Sequence, residues 1–118
     1  MTKPIKVFKV YIAGPYTKPD PAVNTARAMD MWHELRDLGF SPLCPHLSHF
    51  LHIHHARPYQ EWLDYDNEWI EVCDVLLRLP GESSGADDEV LLSKSLDIPV
   101  VLSVSDLIQW RLRMLTPP

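Results

Sequence analysis

No apolar run in this 118-residue chain approaches the length that crosses a bilayer, so no transmembrane helix is expected. The first residues, MTKPIKVFKV, have neither the apolar core nor the cleavage site of a secretory leader, and the expected location is the cytoplasm. Cysteine is scarce: Cys44 and Cys73 each lie beside an apolar segment, which favours two buried free thiols over a disulfide. Positive charge is also short, with 11 Lys and Arg against 16 Asp and Glu. The resulting net charge of -5 disfavours a nucleic-acid polymer or an anionic membrane as the main partner and leaves a small molecule. No repeat, linker or low-complexity tract interrupts the chain.

A chain of this length holds one hydrophobic core, so residues 1–118 are read as a single domain. Its 46% hydrophobic and 23% charged residues are the balance of an ordinary globular protein.

Residues 5 to 12, IKVFKVYI, read as a strand that becomes continuously apolar as it enters a sheet. Ala13, Gly14 and Pro15 close it, and a loop follows from Tyr16 to Pro19. Thr17 and Lys18 there either offer donors to an anion or form a solvated turn. Asp20 before Pro21 is a strong helix start, and Gly39 suits the left-handed residue past its end, giving a helix over about 21–38. Its buried face is expected to carry Ala22, Ala26, Met29, Trp32 and Leu35. A second strand is expected over Phe40 to Pro45.

The segment after it holds His46, His49, His52, His54 and His55. Clustered imidazoles raise a zinc site, but no cysteine or carboxylate nearby completes a usual ligand spacing. A loop at a pocket mouth, with one or two histidines touching ligand, is the preferred reading. Pro58 opens a helix to about Val72, in which Glu61, Asp64, Glu68 and Glu71 form a solvated acidic face. Asp66 stands apart, four residues after Trp62 and three before Trp69, in an aromatic stripe expected to face the core. A carboxylate there must be paired, bonded or open to a cavity. The alternative is that Asp66 caps a helix that starts later.

Val75 to Leu79 reads as a strand buried on both faces, ended by Pro80 and Gly81. Ser84 with Asp87 three residues on resembles a capping box, which places Glu89 in the first turns of a helix. Glu89 shares a face with Leu92, Ser93 and Leu96 and so aims inward, whereas Asp87 and Asp88 point to solvent. Equally, acids simply collect at helix starts. Ile98 to Val104 is the fourth strand, followed by Ser105 as a cap and a last helix from Asp106 to Met114. Its Leu107, Trp110 and Met114 pack either on the sheet or on another subunit.

Strands alternating with helices imply an α/β, flavodoxin- or Rossmann-like three-layer sandwich, with a mainly parallel sheet of four or five strands in the order 2-1-3-4. Ligands bind at the switch point, where the loops leaving strands 1 and 3 meet. Asp66 and Glu89 both border that crevice in this arrangement. Two carboxyl groups from different elements suit a nucleophile or base working with a proton donor, as in glycosidic bond cleavage.

YIAGPYT at 11–17, PH at 45–46, D-x-x-W-I at 66–70, CD at 73–74 and GADDEV at 85–90 together resemble the nucleoside 2-deoxyribosyltransferase superfamily, including the 2'-deoxynucleoside 5'-phosphate N-hydrolases. The resemblance implies cleavage of an N-glycosidic bond, by hydrolysis or base exchange. Glu89 would be the nucleophile, Asp66 the proton donor to the departing base and Tyr11 the group that orients Glu89. It implies substrate contacts from Gly14, Pro15, Tyr16, Thr17, Lys18, His46, Ser83, Ser84 and Gly85, with no cofactor and no metal. Gly14 would admit close approach of the backbone to sugar or phosphate. Pro15 replaces a phosphate-binding serine of the hydrolases, and Val90 replaces the usual glycine after the glutamate. The expected partner is a nucleoside or nucleotide, and four tryptophans with an apolar last helix favour a homodimer or higher homo-oligomer. Two other functions stay open: a nucleotide-sensing module without turnover, and a metal-dependent hydrolase built on the histidines.

Overall fold

The computed structural model describes residues 6–116. Four strands, β1 (Lys9–Ala13), β2 (Ser41–Leu43), β3 (Val75–Arg78) and β4 (Val100–Val101), form one all-parallel sheet in the order β2-β1-β3-β4. Among the described residues five α-helices accompany them: α1 (Pro21–Asp37), α2 (Ser48–His54), α3 (Tyr59–Ile70), α4 (Ser84–Ser95) and α5 (Val104–Leu115). The expected sheet order holds, with four strands.

Alternation along β1 sorts the layers. Val10 and Ile12 point to a face packed with Ala28 and Leu35 of α1 and with Leu107 and Trp110 of α5. Tyr11 and Ala13 point to the other face, where Ile70 of α3 and Ala86 of α4 cover the sheet. Tyr11 therefore reaches the helices that carry Asp66 and Glu89 because it stands one residue out of phase with Val10 and Ile12. Burying such apolar side chains is worth about 1.5–3 kcal/mol each, which fixes the phase of β1.

Several boundaries and faces differ from expectation. The first strand begins at Lys9, and Ile5 lies outside the described residues. Helix α1 starts at its Asp20 cap, which accepts from the amides of Ala22 at 2.8 Å and Val23 at 3.2 Å, and Gly39 takes φ +92° beyond its end. Its buried positions are Asn24, Thr25, Ala28 and Leu35, while Ala22 and Ala26 are exposed. The stripe is rotated because Asn24 turns inward to bond the preceding loop.

The histidine segment is not a loop. Pro45–Leu47 makes a 3-10 turn and Ser48–His54 a helix that buries none of its residues; its apolar side chains Phe50, Leu51 and Ile53 are all exposed. Helix α3 buries only Ile70; Trp69 is 42% exposed and Trp62 half-buried, so the aromatic stripe does not face the core. The cap of α4 is Ser83, not Ser84: its Oγ accepts from the Ala86 amide at 3.1 Å. On α4 Ser93 is buried but Leu96 is exposed. Strand β4 is only two residues long because Ser103, rather than Ser105, caps α5, accepting from the Asp106 amide at 3.0 Å. On α5 Leu107 and Trp110 are buried and Met114 is exposed. Cys44 and Cys73 are buried free thiols.

Among the described residues no helix is long and apolar enough to cross a membrane.

Candidate active site

The loops leaving β1 and β3 lie against each other at the switch point of the sheet. The Leu79 amide donates to the Ala13 carbonyl at 2.7 Å. A Cβ on Gly14 would meet Leu79 Cβ at 3.0 Å, so close packing of the two loops favours glycine there. Gly81 takes φ +118°, and a Cβ added to it would lie only 2.7 Å from Pro15 Cγ; the absence of a side chain lets the second loop pass over the first. Asn24, buried at the start of α1, holds the Tyr16–Pro19 loop by donating its Nδ2 to the carbonyls of Tyr16 at 2.9 Å and Lys18 at 2.8 Å.

These loops, with α3 and α4, enclose a cleft of about 1090 Å³. Its lining contains Asp66 and Glu89 together with Gly14, Pro15, Tyr16, Thr17, Lys18, His46, Ser83, Ser84 and Gly85. The fold thus gathers residues far apart along the chain into one hollow. Tyr11 lies beneath it, fully buried, and donates its hydroxyl to Glu89 Oε2.

The electrostatics separate the two acids. Burial pushes the Glu89 carboxyl up to about 7, against the opposing pull of the Tyr11 hydroxyl and the Arg78 guanidinium. Burial, and then the Glu89 charge, push Asp66 to about 7 as well. Only Glu89 has a donor on its carboxylate; Asp66 Oδ1 is buried with no hydrogen-bond partner. When one proton is shared by the pair, Asp66 is the better place for it and Glu89 the better anion. Tyr11 keeps its own proton, since burial and then the Glu89 charge hold its hydroxyl well above the ordinary tyrosine value.

The histidines have separate duties. His46 is buried, and its Nε2 donates to the carbonyls of Gly14 at 3.2 Å and Pro15 at 3.0 Å; burial lowers its pKa, so it stays neutral. His49 Nδ1 lies 2.8 Å from the Tyr16 hydroxyl, and His52 Nδ1 accepts from Trp62 Nε1 at 2.9 Å. His54 and His55 are exposed. Among the described residues no three His, Cys, Asp or Glu side chains are grouped to hold a metal ion.

Ser83 spends its hydroxyl on the helix cap, while Thr17, Lys18 and Ser84 sit exposed at the rim. Three contributors escaped the sequence reading. Arg78 donates to the carbonyls of Leu79 and, at 2.9 Å, Gly81, and pairs with Asp87 at 3.0 Å, bracing the loop below Glu89. A lone charge ending the apolar run of β3 was its signal. Trp62 lines the cleft one helical turn before Asp66, a spacing that already put both on one face. Asn24 had no signal, because its bonds go to backbone.

No model of a known protein family matches the chain, and no curated protein matches it. Among solved structures the chain is similar to a 2-deoxyribosyltransferase from the psychrotolerant bacterium Bacillus psychrosaccharolyticus. The identity is 22% over 78% of this chain and 69% of that one, with a TM-score of 0.63. The order of its strands and this likeness together give the chain the doubly wound α/β fold of a 2-deoxyribosyltransferase.

Proposed function

We propose that the protein is a member of the nucleoside 2-deoxyribosyltransferase superfamily that cleaves the N-glycosidic bond of a 2'-deoxynucleoside or its 5'-monophosphate. The observation that carries this reading is the Tyr11 hydroxyl bonded to Glu89 in a cleft shared with Asp66, whose Oδ1 is buried and unpartnered. The fold of the 2-deoxyribosyltransferase supports it.

Tyr11 holds one Glu89 oxygen, leaving the other to attack C1' of the sugar. The C1'–N bond breaks as the C1'–O bond forms, and the base departs with the bonding electron pair and takes the Asp66 proton. The sugar is then an ester of Glu89. Water attacks C1' next, giving its proton to the Asp66 carboxylate and freeing Glu89, so the sum is deoxynucleoside plus water to deoxyribose plus base. A second base in place of water gives exchange instead.

The Tyr16–Lys18 loop and the rim serines are the proposed sugar and 5'-end contacts. Large apolar side chains left exposed on α3 (Tyr65, Trp69) and α5 (Leu112, Met114) favour a homo-oligomer, to be read by sedimentation. Incubation with each deoxynucleoside and each monophosphate, followed by chromatography for free base, tests the activity. Release from at least one substrate is expected; no release from any would remove the catalytic reading and leave the nucleotide-sensing one.

A further inference from the structure

Helix α2 stands out because it buries no side chain, yet it is anchored at the cleft. One anchor is explicit. Trp62 Nε1 donates to His52 Nδ1 at 2.9 Å, the Arg57 backbone amide reaches the same nitrogen at 3.3 Å, and the two rings meet edge to face with centroids 5.9 Å apart. An indole N–H can only donate, so Nδ1 of His52 is the unprotonated nitrogen and acts as acceptor. Both residues line the cleft, and so does Asp66, one turn after Trp62 on α3.

That placement gives the cleft a direction. If Asp66 delivers a proton to the departing base, the base lies beside α3, and the side chain one turn back on the same face is Trp62. With its only polar atom already bonded to His52, the indole offers this base a fixed aromatic face and no hydrogen bond.

We infer that His52 is a positioning residue: it fixes the Trp62 indole at the α3 wall, where the base of the substrate stacks on it. The inference rests on the proposed role of Asp66. It makes base recognition at this wall a matter of stacking area, so purines are favoured over pyrimidines.

The test measures kcat and KM for 2'-deoxyadenosine and its 5'-monophosphate, with equilibrium binding of the same two compounds as a readout independent of turnover. Trp62→Ala should raise KM or Kd by roughly 5- to 100-fold, the range of losing one base–aromatic stack, with a smaller effect on kcat. His52→Ala should raise KM by roughly 3- to 10-fold, as for loss of one hydrogen bond, with kcat within about twofold. His52→Asn puts an amide oxygen near the place of Nδ1 and should restore KM, whereas His52→Gln should not. In a Trp62→Phe background, which lacks the N–H, His52→Ala should add nothing.

Equal KM for wild type, His52→Ala and Trp62→Ala overturns the inference, as does failure of His52→Asn to outperform His52→Gln; the latter pair decides the matter if His52→Ala does not fold. Binding that depends on His52 without turnover sinks the cleavage reading alone. Turnover with a KM indifferent to His52 sinks this one alone, and neither binding nor turnover sinks both.

Discussion

Tyr11, in the middle of the sheet, donates its hydroxyl to the Glu89 carboxylate on a helix 78 residues further along the chain. That bond joins the buried strand to the one inward-facing acid of α4. It also opposes the burial that pushes the Glu89 carboxyl up to about 7.

Removing the hydroxyl by Tyr11→Phe should lower kcat by roughly 10- to 100-fold, because Glu89 loses its orienting donor. Since the bond lowers the Glu89 pKa, its loss should move the acidic limb of the pH–rate profile to higher pH. An acidic limb that stays in place would show that Tyr11 does not act on Glu89.

The proposed cleavage requires Glu89 ionised and Asp66 protonated, and both carboxyls sit at about 7. Acid removes the nucleophile and base removes the proton donor. The rate of base release should therefore follow a narrow bell centred near neutrality, with apparent pKa values that belong to the pair. A profile flat from about pH 5 to 9 contradicts this assignment.

The same displacement governs stability. The folded-state pKa of Asp66 is raised, so its contribution is fully present below the unfolded value and is lost as pH rises through about 7, where a buried carboxyl must ionise. Asp66→Asn removes that cost. In thermal unfolding followed by circular dichroism, it should stabilise the fold by about 1–3 kcal/mol near pH 8 and far less near pH 4, while lowering activity. Equal effects at both pH values contradict it.

The crossing of the two loops makes Gly81 and Gly85 unequal. Gly81→Ala combines φ +118° with a contact of 2.7 Å to Pro15 Cγ, and should cost about 1–3 kcal/mol. Gly85→Ala meets nothing nearer than the Tyr59 hydroxyl at 3.5 Å and should leave the denaturation midpoint nearly unchanged. Indistinguishable midpoints would show that the loops do not constrain each other as described.

The sheet order was legible because its signals are local and strong: Asp20-Pro21 and Gly39 bound a helix, and Val75 to Leu79 carries a single polar interruption, Arg78. Asp66 and Glu89 stood out in the sequence and both line the cleft, although the aromatic stripe that marked Asp66 does not face the core and Leu96, on the face given to Glu89, is exposed. Where reading failed, packing had no local trace. The stripe of α1 turned because Asn24 serves a loop backbone, and α2 went unseen because it is only 7 residues long and its apolar residues Phe50, Leu51 and Ile53 stand among histidines that read as a loop. The α4 start shifted by one residue because Ser83 and Ser84 are equally good caps, and the bond to the Ala86 amide chooses between them.

The proposed chemistry turns on Glu89 as the atom donor to C1'. The most direct measurement is the rate of base release by folded Glu89→Gln beside the wild type, on whichever deoxynucleoside or monophosphate the wild type cleaves best. A loss of roughly 1,000-fold or more is expected, because the amide cannot form the ester. Release within about tenfold of the wild-type rate would contradict the account, since no other residue in the cleft is given that role.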